Sequence, residues 1–212
     1  MGELRRRGLF VAIEGYDGVG KTTLCEALKP HYPEAVFVRE PGGTLLGEEI
    51  RRIIGEEDGE SYAVSPLTKL ALFNASRAHL LDTVIKPALE AGKLVITDRY
   101  YLSTVAYQVG GDGLAGWMVR DAHNIFADGF LPNVTILIEP DLKKYQLLNN
   151  KDYFIIRNLS HEDRVRLKFF RFIDSATVHS YILQQRELQE RVNAVRNTID
   201  NYSFLPQLAP GS

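Results

Sequence analysis

The stretch Leu9-Phe-Val-Ala-Ile-Glu-Gly-Tyr-Asp-Gly-Val-Gly-Lys-Thr-Thr23 decides the fold. Five apolar residues with no polar alternation read as a strand buried on both faces, the habit of a parallel sheet. Gly15 to Thr22 then fits G-x-x-x-x-G-K-[ST], and the helical pattern Lys21–Lys29 follows. Strand, glycine loop and helix in that order form a phosphate-binding P-loop. Gly15, Gly18 and Gly20 let backbone N–H groups turn inward around phosphate oxygens, and Asp17, Val19 and Thr23 complete the wrap. Lys21 brings a mobile positive charge to β- and γ-phosphates, and Thr22 offers a hydroxyl to Mg²⁺. The helix behind adds its positive N-terminal end. ATP and Mg²⁺ are therefore the expected ligands.

Three more apolar runs lie downstream: Ala35–Val38, Leu94–Thr97 and Val134–Ile138. All four runs end in charge: Glu14, Arg39 with Glu40, Asp98 with Arg99, and Glu139. Ligands bind at the carboxyl ends of strands in open parallel sheets, so these endings read as one active-site rim. Helical patterns fill the intervals at Leu45–Ile54, Pro66–Ala91 (broken at Pro87), Leu102–Val109 and Trp117–Phe126. Strand alternating with helix makes an α/β protein, a parallel sheet flanked by helices. Beyond Asn149 two helices are expected, His161–Asp174 and Ser175–Asn197. Asn197-Thr-Ile-Asp200 is a weak alternative for a last strand, and the tail from 202 to 212 reads as loose.

At 212 residues the chain suits one domain spanning 1–212. Apolar content of 45% and charged content of 25% are ordinary globular values, against a disordered or fibrous protein. A net charge of −2 argues against a nucleic-acid coat, and no apolar run is long enough for a membrane span. The apolar stretch after Arg5, Arg6 and Arg7 ends at Glu14, too soon for a signal peptide. One cysteine, Cys25, excludes an internal disulfide and fits a reducing, cytoplasmic setting. It reads as a core residue rather than an activated thiol. Five scattered histidines lack the spacing of a zinc site.

Four blocks resemble the thymidylate (dTMP) kinase family, bacterial-type branch, among P-loop nucleoside-monophosphate kinases. They are Glu14–Thr23, Arg39-Glu-Pro-Gly-Gly-Thr44 with Gly47–Arg51, Leu72-Phe-Asn-Ala-Ser-Arg77 leading to Val84–Leu89, and Asp98-Arg-Tyr-Tyr-Leu-Ser-Thr-Val-Ala-Tyr-Gln108. The resemblance covers about residues 8–140. It implies a P-loop kinase fold with a mobile lid at about 143–171 and transfer of phosphate from ATP to dTMP. By resemblance Phe73 stacks on thymine, and Arg77 reads its edge with Ser103, Thr104 and Gln108. Tyr107 walls the sugar, and Asp17 meets its 3′-hydroxyl. Asp98 shares Mg²⁺ with Thr22, while Arg99 and Arg51 grip the acceptor phosphate near Glu40. From spacing alone, Phe73 and Arg77 also suit a core ring and a surface cation, and Arg51 a solvated helix face.

Gly18 stands where one branch of the family has a catalytic arginine, so the resemblance calls for an arginine from the lid. The stretch from Lys143 to Arg171 holds eight basic and three acidic residues, and Arg157 and Arg164 are its candidates. Two other readings stay open. A deoxynucleoside kinase would need a carboxylate base, for which Glu40 is available. A nucleotide-binding module with an impaired lid would bind without turnover. The expected partners are ATP and dTMP, with no nucleic acid and no membrane, and a homodimer as the assembly to test.

Overall fold

The computed structural model describes residues 8–55, 64–138, 160–175, 179–184 and 187–204. Five parallel strands, β1 (Leu9–Glu14), β2 (Val36–Arg39), β3 (Leu94–Asp98), β4 (Val134–Ile138) and β5 (His179–Leu183), lie in the order β2-β3-β1-β4-β5. The first four strands occupy the apolar runs, displaced at their ends by a residue or so. β1 sits between β3 and β4 and has no solvent face, which is why its run is continuous. Register places Asp98 beside both Ile13 and Arg39. The P-loop, the Glu40 turn and the Asp98–Arg99 turn therefore leave the sheet at one level.

The helices are α1 (Lys21–Leu28), α2 (Leu45–Ile54), α3 (Pro66–Leu80), α4 (Lys86–Glu90), α5 (Tyr101–Thr104), α6 (Gly116–Ala127), α7 (His161–Ser175) and α8 (Leu188–Phe204). They cover both faces of the sheet. Val11 and Ile13 of β1 pack with Leu24 and Leu28 of α1 and with Val192, Val195 and Ile199 of α8. The alternate residues Phe10 and Ala12 point the other way, toward Leu80, Ile85 and Tyr100. Thr44 caps α2 by accepting from Gly47 N–H, and Ser65 caps α3 by accepting from Thr68 N–H.

Five expectations change. Leu81–Ile85 widens into a π-helical turn, and Pro87 then falls in the first turn of α4, where its missing N–H is tolerated. The helix adjusts there rather than ending. A second π-helical segment, Val105–Gly111, extends the helix that begins at Tyr101. The expected helix Ser175–Asn197 is incorrect: it contains β5 and only then the start of α8. Asn197–Asp200 is helical, not a strand. β5 pairs with β4 alone, and edge strands need no continuous apolar run. The expected tail also starts too early, because Tyr202 packs against the core within α8. Of the lid segment, the residues before 160 lie outside those described.

Candidate active site

The P-loop geometry explains its glycines. Gly15 has φ of 149°, and a Cβ there would stand 2.6 Å from the Ile138 carbonyl oxygen. Gly20 has φ of 92° and leads directly into α1, whose first residue is Lys21. Lys21 is 6% exposed and donates from Nζ to the Tyr16 carbonyl at 2.8 Å. Burial, reinforced by the nearby Arg99 charge, lowers its pKa to about 8. A cation held in this way gains from an arriving polyanion.

Thr22 Oγ1 donates to Asp98 Oδ2 at 2.6 Å, joining the start of α1 to the end of β3. The other carboxylate oxygen, Asp98 Oδ1, is buried without a hydrogen-bond partner. A hydroxyl beside an incompletely satisfied carboxylate at a phosphate loop is an oxygen donor set suited to Mg²⁺. Among the described residues no group of three or more His, Cys, Asp or Glu forms a metal cage. An ion here would complete its shell with phosphates and water, as Mg²⁺ does.

Arg99 adopts φ of 72°, a left-handed conformation rare outside glycine. This turn directs its guanidinium back toward the P-loop. Nη1 donates to the Gly15 carbonyl at 3.2 Å and to Ser103 Oγ at 3.0 Å, and Nη2 pairs with Asp17. Asp17 also accepts from the Tyr107 hydroxyl at 2.6 Å.

Two clefts meet here. One, of about 540 Å³, is lined by the P-loop together with Arg39, Arg51, Asp98 and Arg99. The other, of about 230 Å³, is lined by Phe73, Arg77, Ser103, Thr104, Tyr107 and Gln108 among others. Asp17, Glu40 and Arg99 line both. Arg77 is 2% exposed; its Nε donates to Glu40 Oε2 and its Nη2 to Thr104 Oγ1, each at 2.8 Å. Its Nη1 and Glu40 Oε1 are buried without partners. Burial pushes the Glu40 carboxyl up, and Arg77 opposes that shift. Gln108 donates to Asp112 at 3.2 Å. Arg51 donates to the Pro41 carbonyl at 3.0 Å.

The structure thus brings together the sequence candidates Asp17, Lys21, Thr22, Glu40, Arg51, Phe73, Arg77, Asp98, Arg99, Thr104, Tyr107 and Gln108. Ser103 lines the second cleft, but its hydroxyl points inward: it donates to Glu14 at 2.5 Å and accepts from Arg99. Arg164 donates to the carbonyls of Gly110 and Gly111. Arg157 lies outside the described residues. Cys25 is buried and its thiol is pushed up to about 12, largely by desolvation, in keeping with a core role.

Sequence reading missed four participants. Glu14, expected on the rim, is fully buried. Its Oε1 accepts from Tyr100 N–H at 2.9 Å and Ser103 N–H at 3.2 Å. Tyr100 supplies no cap of its own to α5, so Glu14 caps that helix from another strand. Arg191 of α8 donates to the Val19 carbonyl at 2.7 Å, bracing the P-loop from behind. Tyr16 stacks on Tyr107 with ring centroids 6.2 Å apart, and Arg166 of α7 lies 4.7 Å over Tyr16. The charged strand ending at Glu14 was a visible signal, but its burial was not. The other contacts join residues far apart in the chain.

A phosphate loop adjoining a second cleft with an aromatic wall and buried polar groups, at the carboxyl edge of a parallel sheet, is the arrangement of a P-loop nucleotide kinase. A family model for thymidylate kinase matches residues 13–195, and the chain belongs to the thymidylate kinase family. A thymidylate kinase of Dehalococcoides mccartyi is 38% identical over 203 residues, covering 88% of this chain and 97% of that relative. One from Bifidobacterium longum is 38% identical over 202 residues, 92% of this chain and 96% of the relative. One from Clavibacter sepedonicus is 44% identical over 138 residues, 63% of this chain and 64% of the relative. The crystal structure of thymidylate kinase from Ehrlichia chaffeensis superposes with a TM-score of 0.69 at 27% identity, covering 91% of this chain and 99% of that one.

Proposed function

We infer that this chain transfers the γ-phosphoryl group of ATP to dTMP, giving ADP and dTDP. The observation that carries the reading is the union of the P-loop cleft with a cleft lined by Arg77, whose Nη1 is a buried donor without a protein partner. A donor in that state is an energetic deficit that a base carbonyl would remove.

In this reading ATP occupies the loop formed by Gly15, Asp17, Gly18, Val19, Gly20, Lys21, Thr22 and Thr23. Lys21 draws charge from the β- and γ-phosphates, and Thr22 and Asp98 hold Mg²⁺. That ion supplies charge neutralisation between phosphate oxygens when bound. Phe73 stacks on thymine; Arg77, Thr104, Gln108 and Ser103 surround its polar edge. Tyr107 walls the deoxyribose, and Asp17 receives its 3′-hydroxyl. Arg99 and Arg51 hold the acceptor phosphate beside Glu40. No strong base is required, because the acceptor is already an anionic phosphate. Catalysis is alignment and charge stabilisation. Of the two lid candidates, Arg157 is left to meet charge on the moving group, because Arg164 is engaged by the carbonyls of Gly110 and Gly111.

The deoxynucleoside kinase alternative needs Glu40 as a free base, whereas Glu40 is held by Arg77. A coupled ADP-release assay with ATP and Mg²⁺ tests the function. Turnover is expected with dTMP and not with thymidine, and a preference for dGMP or dCMP would sink the reading. Among the described residues no helix is long and apolar enough to cross a membrane. The proposal includes a cytoplasmic setting and a homodimer. Trp117 and Ile125, two turns apart on α6 and 56% and 77% exposed, offer apolar surface for a second copy. Sedimentation of the purified protein tests the dimer.

A further inference from the structure

We propose that Arg164 is a positioning residue of the acceptor cleft, a clamp on the helical segment that carries Tyr107 and Gln108. The inference rests on the dTMP kinase reading and assigns Arg164 a task other than contact with the transferring phosphoryl group.

Segment Val105–Gly111 ends at two glycines. Helix C-termini leave carbonyl oxygens without intrahelical donors and carry partial negative charge. The Tyr107 carbonyl is satisfied locally by Asp112 N–H at 2.7 Å, and that of Gln108 by Leu114 N–H at 2.8 Å. The carbonyls of Gly110 and Gly111, at the end of the segment, are met from another helix. Arg164 takes both, with Nε donating to Gly110 O at 3.1 Å and Nη2 to Gly111 O at 3.2 Å. One planar guanidinium spans two successive carbonyls, a geometry lysine cannot reproduce.

The glycines also form the floor on which α7 rests. A Cβ on Gly110 would stand 2.9 Å from the Arg164 carbonyl oxygen, and one on Gly111 only 2.4 Å from His161 Nε2. Backbone is thus in contact with helix where any side chain would separate them. A second tie lies one turn further along: buried Phe169 of α7 meets the Tyr107 ring edge-on, with centroids 6.1 Å apart. α7 therefore holds the acceptor wall from behind at its end and its middle. Arg164 acts through Tyr107 and Gln108, which line the acceptor cleft.

This assignment separates two kinetic signatures. A group that contacts the phosphoryl in the transition state moves kcat; a group that shapes the acceptor cleft moves the dTMP KM. Arg164→Ala is expected to raise the dTMP KM about tenfold or more, as loss of charge-assisted hydrogen bonds does. The ATP KM and kcat should stay within about threefold, the scale of an indirect effect. Arg164→Lys should recover part of the loss, and Gly110→Ala, with Arg164 intact, should reproduce it, because a Cβ there stands 2.9 Å from the Arg164 carbonyl oxygen and from Lys168 Cβ and so lifts α7. A hundredfold fall in kcat at unchanged dTMP KM would overturn the proposal, as would Arg164→Ala kinetics matching wild type. If Arg164→Ala does not fold, as judged by circular dichroism, the Arg164→Lys and Gly110→Ala variants decide. Calorimetric dTMP binding, measured alongside, keeps the two readings apart. Wild type that binds dTMP without ADP release breaks the functional reading alone, whereas equal dTMP affinity in wild type and variants breaks the clamp.

Discussion

The two clefts are built on opposite plans. The phosphate cleft is centred on consecutive residues, with glycine turns, a helix start and a lysine whose amino group rests on a nearby carbonyl, and only its rim (Arg39, Glu40, Arg51, Asp98 and Arg99) comes from elsewhere. The acceptor cleft is made of side chains from α3, α5, the π-helical segment and the Glu40 turn, each fixed by a partner from elsewhere in the chain. The difference follows from the ligands. A triphosphate is recognised by its charge, which short-range backbone and one cation can meet. A base and sugar are recognised by shape and by hydrogen-bond pattern, which need a wall held still before the ligand arrives.

The largest test of this contrast is Lys21→Ala. If the phosphate cleft works by charge, kcat should fall at least about a hundredfold, the scale of losing one electrostatic contact in a transition state. The melting temperature should not fall, because Lys21 is a buried cation whose charged state the fold disfavours. Turnover within tenfold of wild type in the coupled assay would break the P-loop assignment.

Glu14 should behave in the opposite way. Glu14→Ala leaves Tyr100 N–H, Ser103 N–H and the Ser103 hydroxyl without their acceptor. A loss of about 3 kcal/mol or more in urea unfolding is expected, at 1–3 kcal/mol for each buried group left unsatisfied. Unchanged stability would mean that the acceptor wall stands without this cap.

Arg77→Ala alone would strand the buried Glu40, so the informative variant combines it with Glu40→Gln. The dTMP KM should rise about tenfold, the value of one charge-assisted hydrogen bond, with the ATP KM little changed. An unchanged dTMP KM would remove Arg77 from base recognition.

The smallest effect is one of pH. The Lys21 amine, lowered to about 8 by burial, should lose its proton in the free enzyme above that pH. kcat/KM for ATP should then fall by up to about tenfold per pH unit, while kcat holds because bound phosphate retains the proton. Stability runs the other way. The unfolded chain binds this proton more tightly, so Lys21 makes the fold more stable as pH rises from about 8 toward the ordinary value of 10.5. A flat kcat/KM profile between pH 7 and 9 would place the Lys21 pKa elsewhere.

Legibility in the sequence follows the same division. The P-loop and strands β1 to β4 are read from local pattern because their determinants are runs of adjacent residues, with two-sided burial behind the runs of β1, β3 and β4. Phe73, Arg77, Thr104 and Gln108 are named by the resemblance, since helical spacing alone suits Phe73 and Arg77 equally to a core ring and a surface cation. All four of Ser103, Thr104, Tyr107 and Gln108 line the acceptor cleft, but spacing does not show that the Ser103 hydroxyl turns to buried Glu14 while Tyr107 reaches Asp17. β5 escapes because His179-Ser-Tyr-Ile-Leu183 lies at the sheet edge and carries too little apolar signal. Glu14 as a cap, Arg191 behind Val19 and Arg164 on Gly110 are contacts between distant segments, and no window of sequence contains both partners.

Cys25 gives the molecule a practical property. It is the single thiol, on the buried face of the P-loop helix α1, and held protonated at neutral pH. Thiolate is the reactive species, so maleimides and disulfide reagents should leave the native chain untouched. A cysteine placed on the exposed side of α7 would then be the sole site of labelling, with no need to remove the natural one. A fluorophore there would report directly on whether α7 stays seated on its glycine floor as each nucleotide binds.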